Sequence, residues 1–82
     1  MPSLQYVIDT ICSSLTEEAI YEIIETRLNQ GPFAVENLLP SIRSKDRSLD
    51  HGSARMLAEA ALQNLAERGE LKLEGENIYP VE

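Results

Sequence analysis

The side chains in this 82-residue sequence that could do chemistry are few and far apart. Cys12 is the only thiol, and no histidine stands near it to generate the thiolate that nucleophilic attack or metal binding requires. Alone on a helix, such a cysteine reads as a small packing residue. His51 is the only imidazole and directly follows Asp50. One carboxylate beside one imidazole falls short of a metal site or a catalytic triad, so a loop histidine of this kind reads as solvated. The four glycines stand singly at 31, 52, 69 and 75, each where a turn is needed, and form no phosphate-cradling loop. The many carboxylates carry no pattern that assigns acid and base roles. The expectation is a non-enzymatic protein with no catalytic residue, no metal, no cofactor and no small-molecule site.

Charge narrows the partners. Fourteen acidic residues against seven basic give a net charge of −7, which repels phosphate and argues against casual binding to nucleic acid or to an anionic membrane. Against that background, four of the seven basic residues, Arg43, Lys45, Arg47 and Arg55, fall between positions 43 and 55, opposed only by Asp46 and Asp50. This local positive excess is the most anomalous charge feature of the chain and the natural place for an anion or nucleic-acid contact. A lone cysteine cannot form an intramolecular disulfide, which points to the reducing cytoplasm. The first fifteen residues lack Lys and Arg, and no apolar run approaches the roughly 18 residues of a membrane span, so neither a secretory signal nor a transmembrane helix is expected.

The elements that must position these groups are organised around residues 53 to 81. Ala54, Leu57, Ala58, Ala61, Leu62 and Leu65 recur at three- and four-residue intervals, the spacing of one face of a helix. Ser53 is the expected N-cap, and Gly69 the expected left-handed stop, with Arg68 suited to the negative end of the dipole. Leu71 and Leu73 then alternate with charged residues, and Gly75-Glu76 offers a two-residue turn with positive φ at its first position. In that register Leu73 faces Ile78 and Leu71 faces Pro80. The proline, having no N–H, predicts that the last strand lies at an edge.

Toward the N-terminus, Leu4, Val7, Ile8, Ile11 and Leu15 form one narrow stripe over Ser3 to Leu15, capped by Ser3. A helix this short needs a surface to dock on, either the body of the same chain or the same helix of a second copy. A second helix starts with Thr16 as cap and Leu15 with Ile20 as a hydrophobic staple. Its apolar positions Ala19, Ile20, Tyr21, Ile23, Ile24 and Leu28 cover about half its circumference, which predicts contacts on two sides. Arg27 lies inside that arc and is expected to lay its stem over the core and pair with a carboxylate at the rim. Gly31-Pro32 ends the helix, Phe33 to Val35 suits a third strand against the terminal ribbon, and Glu36 to Ile42 reads as a short helix bent or delayed by Pro40. Residues 43 to 52 read as a long polar connection.

From Thr16 onward this order of elements resembles the winged helix-turn-helix domains, on the stretch GPFAVENLL followed by AALQNLAERGELKLEGENIYPV. The resemblance implies a single α+β, winged-helix-like domain: a three-helix core with a small antiparallel β-wing over residues 16–82, preceded by an additional N-terminal amphipathic helix, residues 1–15, for docking or dimerisation. It also implies that the long helix of residues 53 to 68 presents an exposed face carrying Arg55, Met56, Glu59, Ala60, Gln63 and Glu67, the face that enters the major groove in DNA-binding members. Glu59 and Glu67 oppose phosphate, and the wing sets Lys72 against Glu70, Glu74 and Glu76. The favoured reading is therefore a protein-interaction or self-association module, with Leu4, Val7, Ile8, Ile11, Met56 and Ala60 as interface residues and a homodimer as one form. The alternative is a small DNA-binding regulator that uses Arg43, Lys45, Arg47, Arg55 and Gln63.

Overall fold

In the computed structural model, which describes residues 3–81, the inner face of the longest helix is where the chain closes on itself. That helix, α4, runs from His51 to Glu67 and buries Ala54, Leu57, Ala58, Ala61, Leu62 and Leu65, the six positions of the predicted stripe. Alternating alanines let neighbouring backbones come close while the leucines fill the space between them. Three other helices, α1 (Leu4–Ile11), α2 (Glu17–Leu28) and α3 (Leu39–Lys45), all pack on α4, as does the small antiparallel sheet. One hydrophobic cluster draws residues from every helix and every strand.

Local chemistry sets the ends of the elements. Ser3 Oγ accepts the Tyr6 N–H at 3.1 Å and Thr16 Oγ1 accepts that of Ala19 at 3.1 Å, so α1 and α2 begin at their expected caps. α1 stops at Ile11, short of the expected Leu15, because Cys12 turns left-handed at φ 62° and the next residues bond elsewhere. Cys12 is consequently exposed at a helix end, not the packing residue that the sequence suggests. The Schellman stop at the far end of α4 is as expected: Gly69 has φ +78°, and the Gly69 and Glu70 N–H groups return to the Ala66 and Leu65 carbonyls.

Two expectations about the middle of the chain are corrected. The N-cap of α4 is Asp50, whose Oδ1 accepts the Ser53 N–H at 2.7 Å. A carboxylate outcompetes a hydroxyl at the positive helix end, and the helix gains residues 51–53. At its other side the connection shrinks too, because α3 begins at Leu39, tolerates Pro40 in its first turn and continues to Lys45. The linker is thus residues 46–50, half the expected length, and is anchored by the buried Leu49. A 3-10 turn, Val35–Asn37, precedes α3, and Asn37 Oδ1 accepts the Ala34 N–H at 2.9 Å.

The sheet joins β1 (Phe33–Ala34), β2 (Leu71–Glu74) and β3 (Asn77–Pro80) in the order β1-β3-β2. Leu73 pairs with Ile78 and Leu71 with Pro80, the expected register, around a turn in which Gly75 has φ +62°. The expectation that β3 is an edge strand is wrong: it is central. Proline is tolerated because β1 reaches only Asn77 and Ile78, so Pro80 has a strand on one side alone. Ile8→Ala should therefore lower the free energy of unfolding by about 2–5 kcal/mol, read by urea denaturation, because its side chain is buried against the body of the chain. Tyr6→Ala, at a position 61% exposed, should stay within about 0.5 kcal/mol of the parent.

Candidate functional site

Arg55 occupies the first turns of α4 and is the most heavily engaged cation on the molecule. Its Nη1 donates to Glu36 Oε1 at 2.7 Å, its Nη2 donates to both carboxylate oxygens of Glu76 at 2.5 and 2.6 Å, and its Nε lies 3.7 Å from Glu59 Oε2. Three segments converge there: the 3-10 turn, α4 itself and the β2–β3 turn. The planar guanidinium suits this role because it offers separate nitrogens to separate carboxylates. The hydrogen bond to Glu76, followed by the negative charge of Glu76, Glu59 and Glu36, holds the guanidinium in its charged form and raises its pKa. His51 adds Nε2 at 3.8 Å from Glu36 Oε2, so the histidine sits at the start of α4 beside this cluster and not in a loop.

The rest of the expected anion-contact set is dispersed. Arg43 lies on α3 and donates Nε to the Leu49 carbonyl at 3.2 Å, Lys45 ends α3, and Arg47 is exposed in the linker. None of these three makes an ion pair among the described residues, whereas Arg55 is held by Glu36 and Glu76 from two other segments and by Glu59 of its own helix. Gln63 is exposed two turns further along α4, beside Glu59. Arg27 reaches the Asn37 carbonyl at 3.3 Å, in place of the carboxylate expected for it.

Of the residues offered as an interface, Leu4, Val7 and Ile8 are buried inside the chain, and Ile11 is half-buried against the same cluster. Met56 is 51% exposed and Ala60 lies half-buried one turn on, so these two remain on the outer face of α4. Leu73 is 37% exposed although its strand neighbour Leu71 is buried. Between α4 and the β2–β3 hairpin is a notch of about 90 Å³ lined by Val35, Leu62 and Leu73 and by Glu59, Gln63 and Gly75. Sequence reading missed the notch because Leu73 reads as a core position. It also missed a groove of about 500 Å³ between α2 and α3, lined by Ala19, Ile23, Arg27, Ser41, Ser44 and Lys45 among others. The groove is the second side of α2 that the broad apolar arc predicted, left open.

A third unforeseen feature is Asp46, the one buried charged residue among those described, 8% exposed. Its carboxylate accepts Ser48 Oγ at 2.6 Å, the Ser48 N–H at 3.1 Å, the Ser14 N–H at 3.2 Å and Ser13 Oγ at 3.0 Å. The Ser48 hydroxyl, then the Ser14 N–H, then the Ser13 hydroxyl hold its pKa down at about 2. The linker that carries Arg47 and the cap Asp50 is thereby tied to the α1–α2 junction. Asp50 is likewise held below the ordinary carboxylate range, first by the Ser53 N–H. No protein-family model, curated protein or solved structure matches the chain.

Two outcomes follow from this geometry. Because Asp46 ionises at about 2 when folded and near 3.8 when free, the unfolded chain binds more protons between those values. The stability it contributes is fully present above about pH 4 and is lost as the pH falls toward 2. Urea midpoints of the parent and of Asp46→Asn should accordingly differ at neutral pH and converge at the acid end. For the second, Arg55→Met should speed amide hydrogen exchange at Gly75, Glu76 and Asn77, with only partial recovery in Arg55→Lys, whose single ammonium cannot bridge Glu36 and Glu76 with separate nitrogens.

Proposed function

We propose that this chain is a winged-helix-type module that binds protein, and that it does so through the outer face of α4 and the β2–β3 wing. The order of a helix, a short strand, a 3-10 turn, a short helix, a long helix and a hairpin from residue 17 onward supports the winged-helix assignment. One observation carries the functional half. Arg55, the cation best placed on α4 to meet a phosphate, is shared among Glu36, Glu59 and Glu76 on the same face. A duplex laid on that face would meet three carboxylates around one guanidinium, and affinity for a duplex comes largely from neutralised phosphates. Met56 and Leu73 stand exposed there instead, a flexible thioether and a branched aliphatic of the kind that protein contacts use.

The DNA-binding alternative keeps one observation in its favour: Arg43 and Lys45 in the last turn of α3 and Arg47 in the linker form no ion pair among the described residues. A photo-crosslinking residue at position 56 separates the two readings. The expected outcome is a protein adduct that Leu73→Glu abolishes, with no such adduct from the exposed position 25 of α2. Duplex binding that falls steeply with salt and is lost in the double variant Arg43→Gln, Arg47→Gln would overturn the protein-binding reading in favour of the alternative.

A further inference from the structure

We infer that the occupant of the α4–wing face is a cationic, amphipathic segment of a partner protein, which sets one aliphatic side chain into the notch and its Lys or Arg residues against the rim. The inference rests on the protein-binding reading and adds the chemistry of the partner. Val35, Leu62 and Leu73 give the notch an apolar lining, and its volume of about 90 Å³ suits an aliphatic side chain. Met56, one turn along α4 from Glu59 and Ala60, is a further exposed apolar side chain on the same helix, outside the lining of the notch. An apolar anchor in such a recess is the usual centre of a protein contact.

Charge decides which anchor-bearing segment fits. No Lys or Arg lines the notch, whereas Glu59 does, and Glu36 and Glu76 converge beside it on Arg55. Three carboxylates around one guanidinium leave the rim negative even with Arg55 fully charged. Glu67 continues the negative side of α4 one turn beyond Gln63. An acidic or phosphorylated segment would be repelled on approach, and a neutral one would leave those carboxylates facing apolar surface. Lysines and arginines flanking an aliphatic residue satisfy both parts of the surface and gain in association rate from the net charge of −7. Gln63, at the mouth of the notch, can donate to and accept from the main chain of such a segment.

Three synthetic peptides of equal length test this, titrated into the isotopically labelled full chain and read by amide chemical shifts. One is an amphipathic Leu/Lys peptide, one replaces each Lys by Glu, and one replaces each Leu by Ala. The Leu/Lys peptide should shift the amides of Glu59, Gln63, Leu73 and Gly75, weaken with added salt, and bind at least about tenfold more tightly than the Ala/Lys peptide, which lacks the anchor. Glu59→Lys, at an exposed position, should weaken it without disturbing the fold. Equal binding of the Leu/Lys and Ala/Lys peptides would mean attraction to net charge alone and would overturn the inference. Equal shifts from the Leu/Glu peptide at the same amides would overturn the charge assignment and leave the face as a protein contact. If no peptide moves those amides while the crosslink from position 56 persists, the inference fails and the protein-binding reading stands. Loss of both removes the two together.

Discussion

Removing water from the inner face of α4 is what the remaining elements have in common. Ala54, Ala58 and Ala61 bring backbones close, and Leu57, Leu62 and Leu65 fill the gaps between α1, α2, α3 and β2. Because six residues of a seventeen-residue helix are buried in this way, its orientation is set by several partners at once. The outer residues of α4 therefore have no freedom to rotate toward or away from solvent. Met56, Glu59, Ala60 and Gln63 are presented as a consequence of where the leucines are held. The hairpin takes its place by the same constraint: Leu71 and Ile78 are buried beneath it, and the turn at Gly75-Glu76 falls where Arg55 can reach it.

Electrostatics then decides what kind of surface that rigid helix offers. A guanidinium on the outer side of α4 would by itself attract phosphate, but Glu36, Glu59 and Glu76 reach it first. The cation becomes a strut between the 3-10 turn and the β2–β3 hairpin, and the surrounding field turns negative. Among the described residues, Arg43, Lys45 and Arg47 form no ion pair and lie at the end of α3 and in the linker, and Lys72 lies on β2. The proposed preference for a cationic protein segment follows from the sharing of Arg55 among three carboxylates on the outer side of α4.

Much of the architecture could be read from local pattern. The alanine–leucine stripe of α4, the caps at Ser3 and Thr16, the Gly69 stop and the Leu73–Ile78 register all depend on residues close in sequence, and α+β with four helices and a small antiparallel sheet follows from them. What escaped depends on competition or distance. Asp50 and Ser53 are both capping types, and only the helix end itself shows that the carboxylate prevails. Pro80 forbids one hydrogen bond, not a central strand, once β1 proves too short to reach it. The partners of Arg55 lie 19 and 21 residues away in Glu36 and Glu76, beyond any periodicity. The stripe of α1 was legible as a docking surface, but whether it docks inward could be learned only from the position of α4.

Asp46 carries a consequence for how the chain comes together. Its carboxylate joins Ser13 and Ser14 to a linker more than thirty residues further on, so it closes a long loop with hydrogen bonds where another small protein would use a covalent tether. Ser13 and Ser14 are taken on one oxygen of that carboxylate and Ser48 on the other, so a single side chain orders both the linker and the turn after α1. The N-terminal part of the chain is thus anchored twice, by the apolar face of α1 against α4 and by a linker carboxylate that fixes the residues just after it.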